Sequence, residues 1–352
     1  MIKISLVVCL YKERDLLERL LTQCDGCYDD LIVVHDGVEY QNLNGESGEC
    51  GKSFKASAII PSVRYSPDWQ TPESLSLKKP EAPSVELALD YAKLAPNAPI
   101  PTGYRLFEGD PLAGSIHELV AQHGGSFYEG PRCFQQEPHW PFAWWVAKHE
   151  WIFRLDADEF PNEDLKEWII SFRKGPETNL PAGYLCIWTQ WDGEKELPSG
   201  SDASRLFFFN KKRVNFFGMV EHTPMLEGEV IPLNLLLHHR PMRPSYGLKN
   251  LLFRKQNAIW KKVIASSLMG TPLQLPRWRY SSEQWSPHWS YIREHPIQKI
   301  FSSLTIGPIR DIVHGIKKGR KIRVNDVMAT VLHQSLMALA YYRTRCSKGK
   351  TP

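Results

Sequence analysis

The first 36 residues constrain the fold most, because two apolar runs flank one charged, leucine-spaced segment. Residues 2–10 form a nearly continuous apolar run rich in Ile and Val, and residues 31–34 form a second. Between them, leucines recur at helical spacing, at positions 16, 17, 20 and 21. Continuous apolar strands joined by a helix are typical of a parallel sheet covered on both faces. The sequence therefore predicts an α/β domain that begins strand, helix, strand.

The rest of the chain divides into three parts by composition. Residues 41–112 are rich in Pro, Gly, Ser and Asn and are interpreted as an insertion with one helical piece near 85–94. From 115 to 240, periodicity and turn residues predict helices at 115–122, 142–148 and 162–172, strands at 126–129, 151–156, 183–189 and 205–210, and a β-rich piece at 214–237. Residues 241–352 are predicted to be a helical, basic region, with a helix near 246–265 and aromatic loops after it.

Composition indicates an ordinary folded protein, with 42% hydrophobic and 23% charged residues and a mild net charge of +4. A nucleic-acid partner is not expected. The N-terminus lacks signal-peptide character and no run of 18 apolar residues occurs, so a cytoplasmic location is expected. Among seven cysteines, Cys24 and Cys27 have metal-site or redox spacing, but no second pair follows them, which favours incidental thiols.

The stretch WIFRLDADEF, residues 151–160, ends an apolar run in three carboxylates, Asp156, Asp158 and Glu159. Carboxylates this close repel one another unless a cation lies among them. Two aspartates at a strand end suit Mg²⁺ or Mn²⁺, which would keep coordination sites for phosphate oxygens. The alternative is a solvated acidic turn in which Glu159 caps the following helix.

Several segments in order resemble one enzyme family. ISLVVCLYKERDLLERLL, IVVHDG, WIFRLDADEF, RLFFFNKKRVNFFGMVEH and LNLLLHHRP together resemble the GT-A nucleotide-diphospho-sugar transferases of glycosyltransferase family 2. The similarity is to the subgroup that builds lipopolysaccharide core and related surface glycans. It implies a GT-A catalytic domain at 1–240, a nucleotide-diphosphate sugar donor, most simply a UDP-sugar, and a saccharide or lipid-linked acceptor.

The resemblance also implies site residues. Leu10, Tyr11 and Glu13 lie in the first strand–helix loop, where relatives cradle the nucleoside. Asp36 matches the residue that holds uracil or ribose. Arg132 occupies the place of a basic residue that supports the diphosphate. Asp156 and Asp158 match the pair that binds metal and diphosphate, and His238 matches a histidine that completes the metal site. The alternatives are a turn residue for Asp36, a surface residue for Arg132 and an edge-strand feature for His238.

The catalytic base and the segment after the second strand depart from the family pattern. The chain has His35-Asp36-Gly37-Val38 where relatives carry further acidic residues, and Glu221-His222 where they have His-Glu. An inverting transfer needs a carboxylate to take the acceptor proton. Glu221 is the first candidate and Asp192 the second, with Glu159 also open. Two other classes remain: a nucleotidyltransferase, and a non-catalytic glycan- or partner-binding protein.

The C-terminal region suggests two further contacts. Apolar positions between 306 and 316 recur at helical spacing, and basic residues crowd positions 317–323. This profile predicts a helix on an anionic membrane surface, on the inner face of the cytoplasmic membrane, or else a helix docked on the catalytic domain. Trp278, Trp285 and Trp289 either stack on a sugar or simply pack.

Overall fold

The computed structural model describes residues 1–11, 13–37, 39, 88–108, 110–111, 113–133, 135–191, 196–197, 204–240, 255–317 and 324–348. Within these ranges the strands are β1 Ile4–Leu10, β2 Asp30–Asp36, β3 Arg105–Leu106, β4 Ser126–Gly130, β5 Trp151–Asp156, β6 Glu159–Pro161, β7 Gly183–Trp191, β8 Glu196–Leu197, β9 Ser204–Asn210, β10 Val214–Phe217, β11 Met225–Leu226, β12 Val230–His239 and β13 Arg277–Trp278. The α-helices are α1 Arg14–Gln23, α2 Ile116–Gln122, α3 Trp140–Val146, α4 Glu163–Lys174, α5 Lys255–Ser267, α6 Pro287–Glu294, α7 Pro296–Lys317 and α8 Val324–Lys348.

One large sheet has the strand order β3-β4-β2-β1-β5-β9-β7-β12-β6, with β8 paired to β7. The pairs β4·β2, β2·β1, β1·β5 and β7·β12 are parallel, whereas β3, β9 and β6 run antiparallel to their neighbours. A smaller sheet has the order β11-β10-β13. The α/β class with a large, mostly parallel sheet is therefore confirmed, and it is compatible with a Rossmann-like fold.

The central strand β1 shows why its apolar run is continuous. Leu6, Val8 and Leu10 enter one core cluster, whose helices include α1, α2 and α4, while Val7 and Cys9 enter another on the opposite face with α3. Alternate residues of a strand face opposite sides, so a strand covered on both sides needs apolar residues at every position. This is the physical basis of the N-terminal prediction.

Some element boundaries differ from those predicted. The helix predicted at 142–148 begins at Trp140, because a 3₁₀ turn at Glu137–His139 leads into it. The start of α4 is capped by Asn162, whose side chain accepts the N–H of Leu165 at 3.0 Å. Glu159 therefore does not cap this helix. The piece predicted as β-rich contains three strands, and the segment between β10 and β11 carries Glu221.

Part of the predicted insertion is built into the α/β fold. Tyr91, in a 3₁₀ turn at Tyr91–Lys93, and Tyr104 are buried in the core cluster that contains α3. The strand β3 extends the sheet by pairing with β4. Residues 41–87 lie outside the described residues, as do 241–254, where the predicted helix near 246–265 begins.

The helices after residue 255 share a third core cluster with the end of β10. Trp285 and Trp289 are buried there, and Trp278 is buried in the cluster that contains α3. The packing interpretation of the three tryptophans is therefore confirmed. None of the described helices is both long and apolar enough to cross a membrane.

Candidate functional site

The carboxyl ends of the parallel strands meet at one edge of the large sheet. Strand β1 lies between β2 and β5. The strands β2 and β4 are added on one side of β1, and the next long strand, β5, is added on the other side. Open α/β sheets bind ligands in the crevice at such a reversal. Leu10, Asp36, Asp156 and His239 end β1, β2, β5 and β12. The fold thus gathers residues that are far apart in sequence at a single edge.

An arginine lies among the carboxylates of the acidic motif. Nη2 of Arg205 donates to Oδ2 of Asp156 at 2.6 Å, and its Nε lies 3.1 Å from Oε1 of Glu159. Glu159 is fully buried, and its Oε2 accepts the backbone N–H of Asp156 at 2.9 Å. Burial raises the pKa of Glu159, against the pull of the Arg205 charge. Glu159 is therefore a support for Asp156.

The acidic motif also retains groups that suit a divalent cation. Among the described residues, Oδ1 of Asp156 has no hydrogen-bond partner although the atom is buried. Leaving such an oxygen unsatisfied costs about 1–3 kcal/mol, which a bound cation would remove. Asp158 is partly exposed, and its Oδ2 lies 3.3 Å from Nε2 of His239. Two carboxylates and one imidazole are ligand types that Mn²⁺ or Mg²⁺ accepts. The ligand atoms of Asp156, Asp158 and His239 do not all lie within 4.8 Å of one another, so a shared cation would require these side chains to move closer together.

The histidine beside Asp158 is His239, the neighbour of the predicted ligand His238. The ring of His239 stacks on Trp188, with centroids 4.3 Å apart, and this contact orients it. In the β12·β6 pairing His239 is opposite Glu159 and His238 is opposite Phe160. Adjacent strand residues face opposite sides of a sheet, so the two histidines do not share a face. The assignment of His238 as a metal ligand stays a prediction.

Asp36 is engaged by the protein itself at both of its oxygens. Oδ2 accepts from Nη1 of Arg132, and Oδ1 accepts the N–H of Cys133 at 2.6 Å and lies 3.0 Å from Nε2 of His139. Burial alone would raise the pKa of Asp36, but the charge of Arg132 and the bond with His139 hold it below its ordinary value. Asp36 therefore anchors Arg132, and contact with a nucleoside would require these bonds to exchange.

Asp36, Cys133 and His139 also form the one group of metal-ligand side chains in the described part of the chain whose ligand atoms all lie within 4.8 Å. The guanidinium of Arg132 already forms an ion pair with the carboxylate of Asp36. Burial, with the Asp36 charge, raises the pKa of the Cys133 thiol well above its ordinary value, whereas a metal requires the thiolate. A hydrogen-bonded network accounts for this group better than a metal site does.

The loop after β1 brings Tyr11 and Glu13 to the same edge. The guanidinium carbon of Arg132 lies 3.5 Å from the centroid of the Tyr11 ring, and the N–H of Tyr11 donates to Oε2 of Glu13 at 2.5 Å. Burial raises the pKa of Glu13 to about 8, and the charge of Asp158 adds to this effect. The side chain of Leu10 is buried in the core, so only its backbone is available to a ligand.

Glu221 lies in a loop with an unusual backbone conformation. Its φ is 64°, which side-chain-bearing residues rarely adopt, and its N–H donates to Oε1 of Glu137 at 3.1 Å. Its Oε2 lies 3.9 Å from Nε2 of His333 on α8. Gly218 allows this loop to approach the 3₁₀ turn, because a Cβ there would lie 2.9 Å from Cα of Pro138. Glu221 is thus held in place and partly exposed.

Glu137 connects Glu221 with the acidic motif. Its side chain is half-buried, and desolvation followed by the charge of Glu221 raises its pKa to about 7, with a smaller contribution from Asp156. Sequence reasoning missed Glu137, Arg205 and His239. Arg205 begins the quoted segment RLFFFN, but nothing in that segment indicates its partners. The second candidate base, Asp192, lies outside the described residues.

The sequence was compared with known proteins in two ways. A scan against protein-family models gives no match, and a search of curated proteins also gives none.

Proposed function

We propose that this protein is a metal-dependent, inverting glycosyltransferase with the GT-A form of the α/β fold. It would move a sugar from a nucleotide-diphosphate donor, most simply a UDP-sugar, to a saccharide or lipid-linked acceptor in bacterial surface-glycan assembly. The observation that carries the proposal is the edge where Asp158 and the unpartnered oxygen of Asp156 lie with the Tyr11–Arg132 pair. The family resemblance of the sequence supports it.

Different residues are proposed to bind different parts of the donor. The ring of Tyr11 and the guanidinium of Arg132, which is held by Asp36, would contact the nucleotide part of the donor. Asp156 and Asp158 would hold the divalent cation, and the imidazole of His239 lies 3.3 Å from Asp158. When bound there, Mn²⁺ or Mg²⁺ neutralises the charge on the departing diphosphate. Arg205 keeps Asp156 in place from the opposite side of its carboxylate.

Glu221 is the proposed base and Glu137 its positioning residue. The left-handed backbone at Glu221 and the hydrogen bond from its N–H to Glu137 fix the backbone position from which the Glu221 side chain extends. Glu137 has a pKa of about 7, so it becomes ionised as the pH rises through neutrality. Its negative charge then makes the Glu221 carboxylate more basic. Transfer should therefore accelerate as the pH rises through 7.

Substitution of the two glutamates separates their roles. Glu221→Gln is expected to lower kcat at least about 100-fold at every pH, because the proton acceptor is lost. Glu137→Gln retains an oxygen that accepts the N–H of Glu221, so most activity should remain, without the rise near pH 7. The pH profile of kcat measures both effects. The roles are reversed if Glu137→Gln abolishes transfer and Glu221→Gln does not.

A thermal-shift screen of nucleotide sugars with and without Mn²⁺ tests the proposed function. A UDP-sugar at about 100 times its Kd should raise Tm by about 4 °C, and the shift should require the metal. A shift with nucleoside triphosphates alone would favour a nucleotidyltransferase. A shift with glycans and none with nucleotides would favour a non-catalytic binding protein. Either of these results would overturn the proposal.

A further inference from the structure

Helix α7 exposes large apolar side chains along its whole length. Eight of them are between 39% and 65% exposed: Ile297, Phe301, Leu304, Ile306, Ile309, Ile312, Val313 and Ile316. Folded proteins rarely leave apolar patches of this extent in water unless the patch contacts something else. These eight residues are called the α7 face below.

The α7 face covers the outer side of a helix whose inner side is packed. Ile300 packs against the third core cluster, and Ser303 is buried. Helix α8 lies against α7 over much of its length. Ile297, Phe301 and Leu304 follow spacings of four and three, and a second series at such spacings begins at Ile306 and continues past Pro308 through Ile309, Val313 and Ile316. The two series together place exposed apolar side chains along the whole length of the helix.

The charge of this region identifies the partner it fits. Within α7 the sequence has Lys299, Arg310 and Lys317 against the single acid Asp311, and Arg310 is exposed. Four more basic residues follow in the sequence by position 323, after the last residue of α7. A second copy of the chain would bring like charges together across the face. A negatively charged surface would attract them.

We propose that the α7 face lies in the headgroup region of an anionic lipid bilayer, with the helix parallel to the membrane plane. Interfacial helices combine an apolar face with Lys or Arg and do not need the length or uniform hydropathy of a spanning helix. Helix α8, which packs on α7, also carries His333 beside Glu221. One helix thus connects the membrane contact with the candidate site.

Co-sedimentation of the full chain with lipid vesicles tests the proposal. The protein should pellet with vesicles containing about a quarter phosphatidylglycerol and much less with phosphatidylcholine alone, and salt should weaken the binding. The double variant Phe301→Ser, Ile309→Ser should lower the bound fraction roughly tenfold. Met225→Ser, which changes an exposed apolar residue on β11, is the matched control and should bind as the wild type does.

Three results would overturn the proposal. The first is a wild-type protein that binds neither vesicle type. The second is a double variant that binds as well as the wild type. The third is a wild-type dimer, seen by light scattering, that dissociates in the double variant and does not bind vesicles, because a second copy would then cover the α7 face. Because both substituted side chains are well exposed, the variants should keep the wild-type Tm, and this measurement accompanies the assay.

Discussion

Asp158→Asn is expected to lower the rate of sugar transfer at least about 100-fold while leaving the fold nearly as stable. The amide has the shape of the carboxylate but no charge, and a hard divalent cation prefers charged oxygen ligands. Asp158 is partly exposed, so the uncharged variant leaves no buried ion unpaired. Transfer is measured with the donor found in the thermal-shift screen, and Mn²⁺-dependent UDP binding is measured by calorimetry.

Asp25→Asn is the matched control, since Asp25 is an exposed aspartate in the turn after α1, before the start of β2 and not at the carboxyl ends of the strands. It should leave both transfer and UDP binding unchanged. A fully active Asp158→Asn variant would contradict the metal role of this residue. Loss of transfer with intact Mn²⁺-dependent UDP binding would instead place Asp158 in the chemical step alone.

Arg205→Met is expected to reduce the free energy of unfolding by about 3 kcal/mol. The substitution leaves Asp156 and the fully buried Glu159 next to each other without their shared cation. Without Arg205 the pKa of Glu159 in the folded state would rise further above its value in the unfolded chain. A carboxyl group of this kind loses its stabilising contribution as the pH rises through the folded-state pKa. The deficit should therefore be larger at pH 8 than at pH 6 in urea unfolding.

Arg213→Met serves as the control for this measurement. Arg213 is an exposed arginine just before β10, and it donates to the carbonyl of Leu180 at 3.1 Å. Its substitution should change stability by no more than about 0.5 kcal/mol, without a pH trend. Adding Glu159→Gln to Arg205→Met should recover part of the lost stability. Equal stability of Arg205→Met and wild type at pH 8 would show that the acidic motif does not need this cation.

The N-terminal half of the fold follows from the sequence because its signals are local. The runs at β1 and β2 are apolar at successive positions, and the leucines of α1 repeat at helical spacing. Parallel pairing then places the strand ends together, so Asp36 and Asp156 were identifiable as neighbours of one crevice. The 3₁₀ turn at Tyr91–Lys93 was harder to predict from the sequence, since its burial depends on tertiary contacts with α3.

The missed site residues depend on pairings that the local pattern does not encode. Arg205 reaches Asp156 because β9 runs antiparallel to β5, which brings the beginning of β9 to the edge where β5 ends. The choice between His238 and His239 depends on one residue of register against β6. Glu137 meets Glu221 through the close approach at Gly218. In each case a non-local contact determines the chemistry.

The third core cluster changes what the boundary near residue 240 means. Phe217, Met219 and Val220, which precede Glu221 in the α/β part, are buried together with side chains from the later helices, including Trp289 and Met337. A cut at residue 240 would divide this hydrophobic core and remove His333 from Glu221. The two parts of the chain therefore share one hydrophobic core, and a fragment that ends at residue 240 is expected to expose Phe217 and Met219.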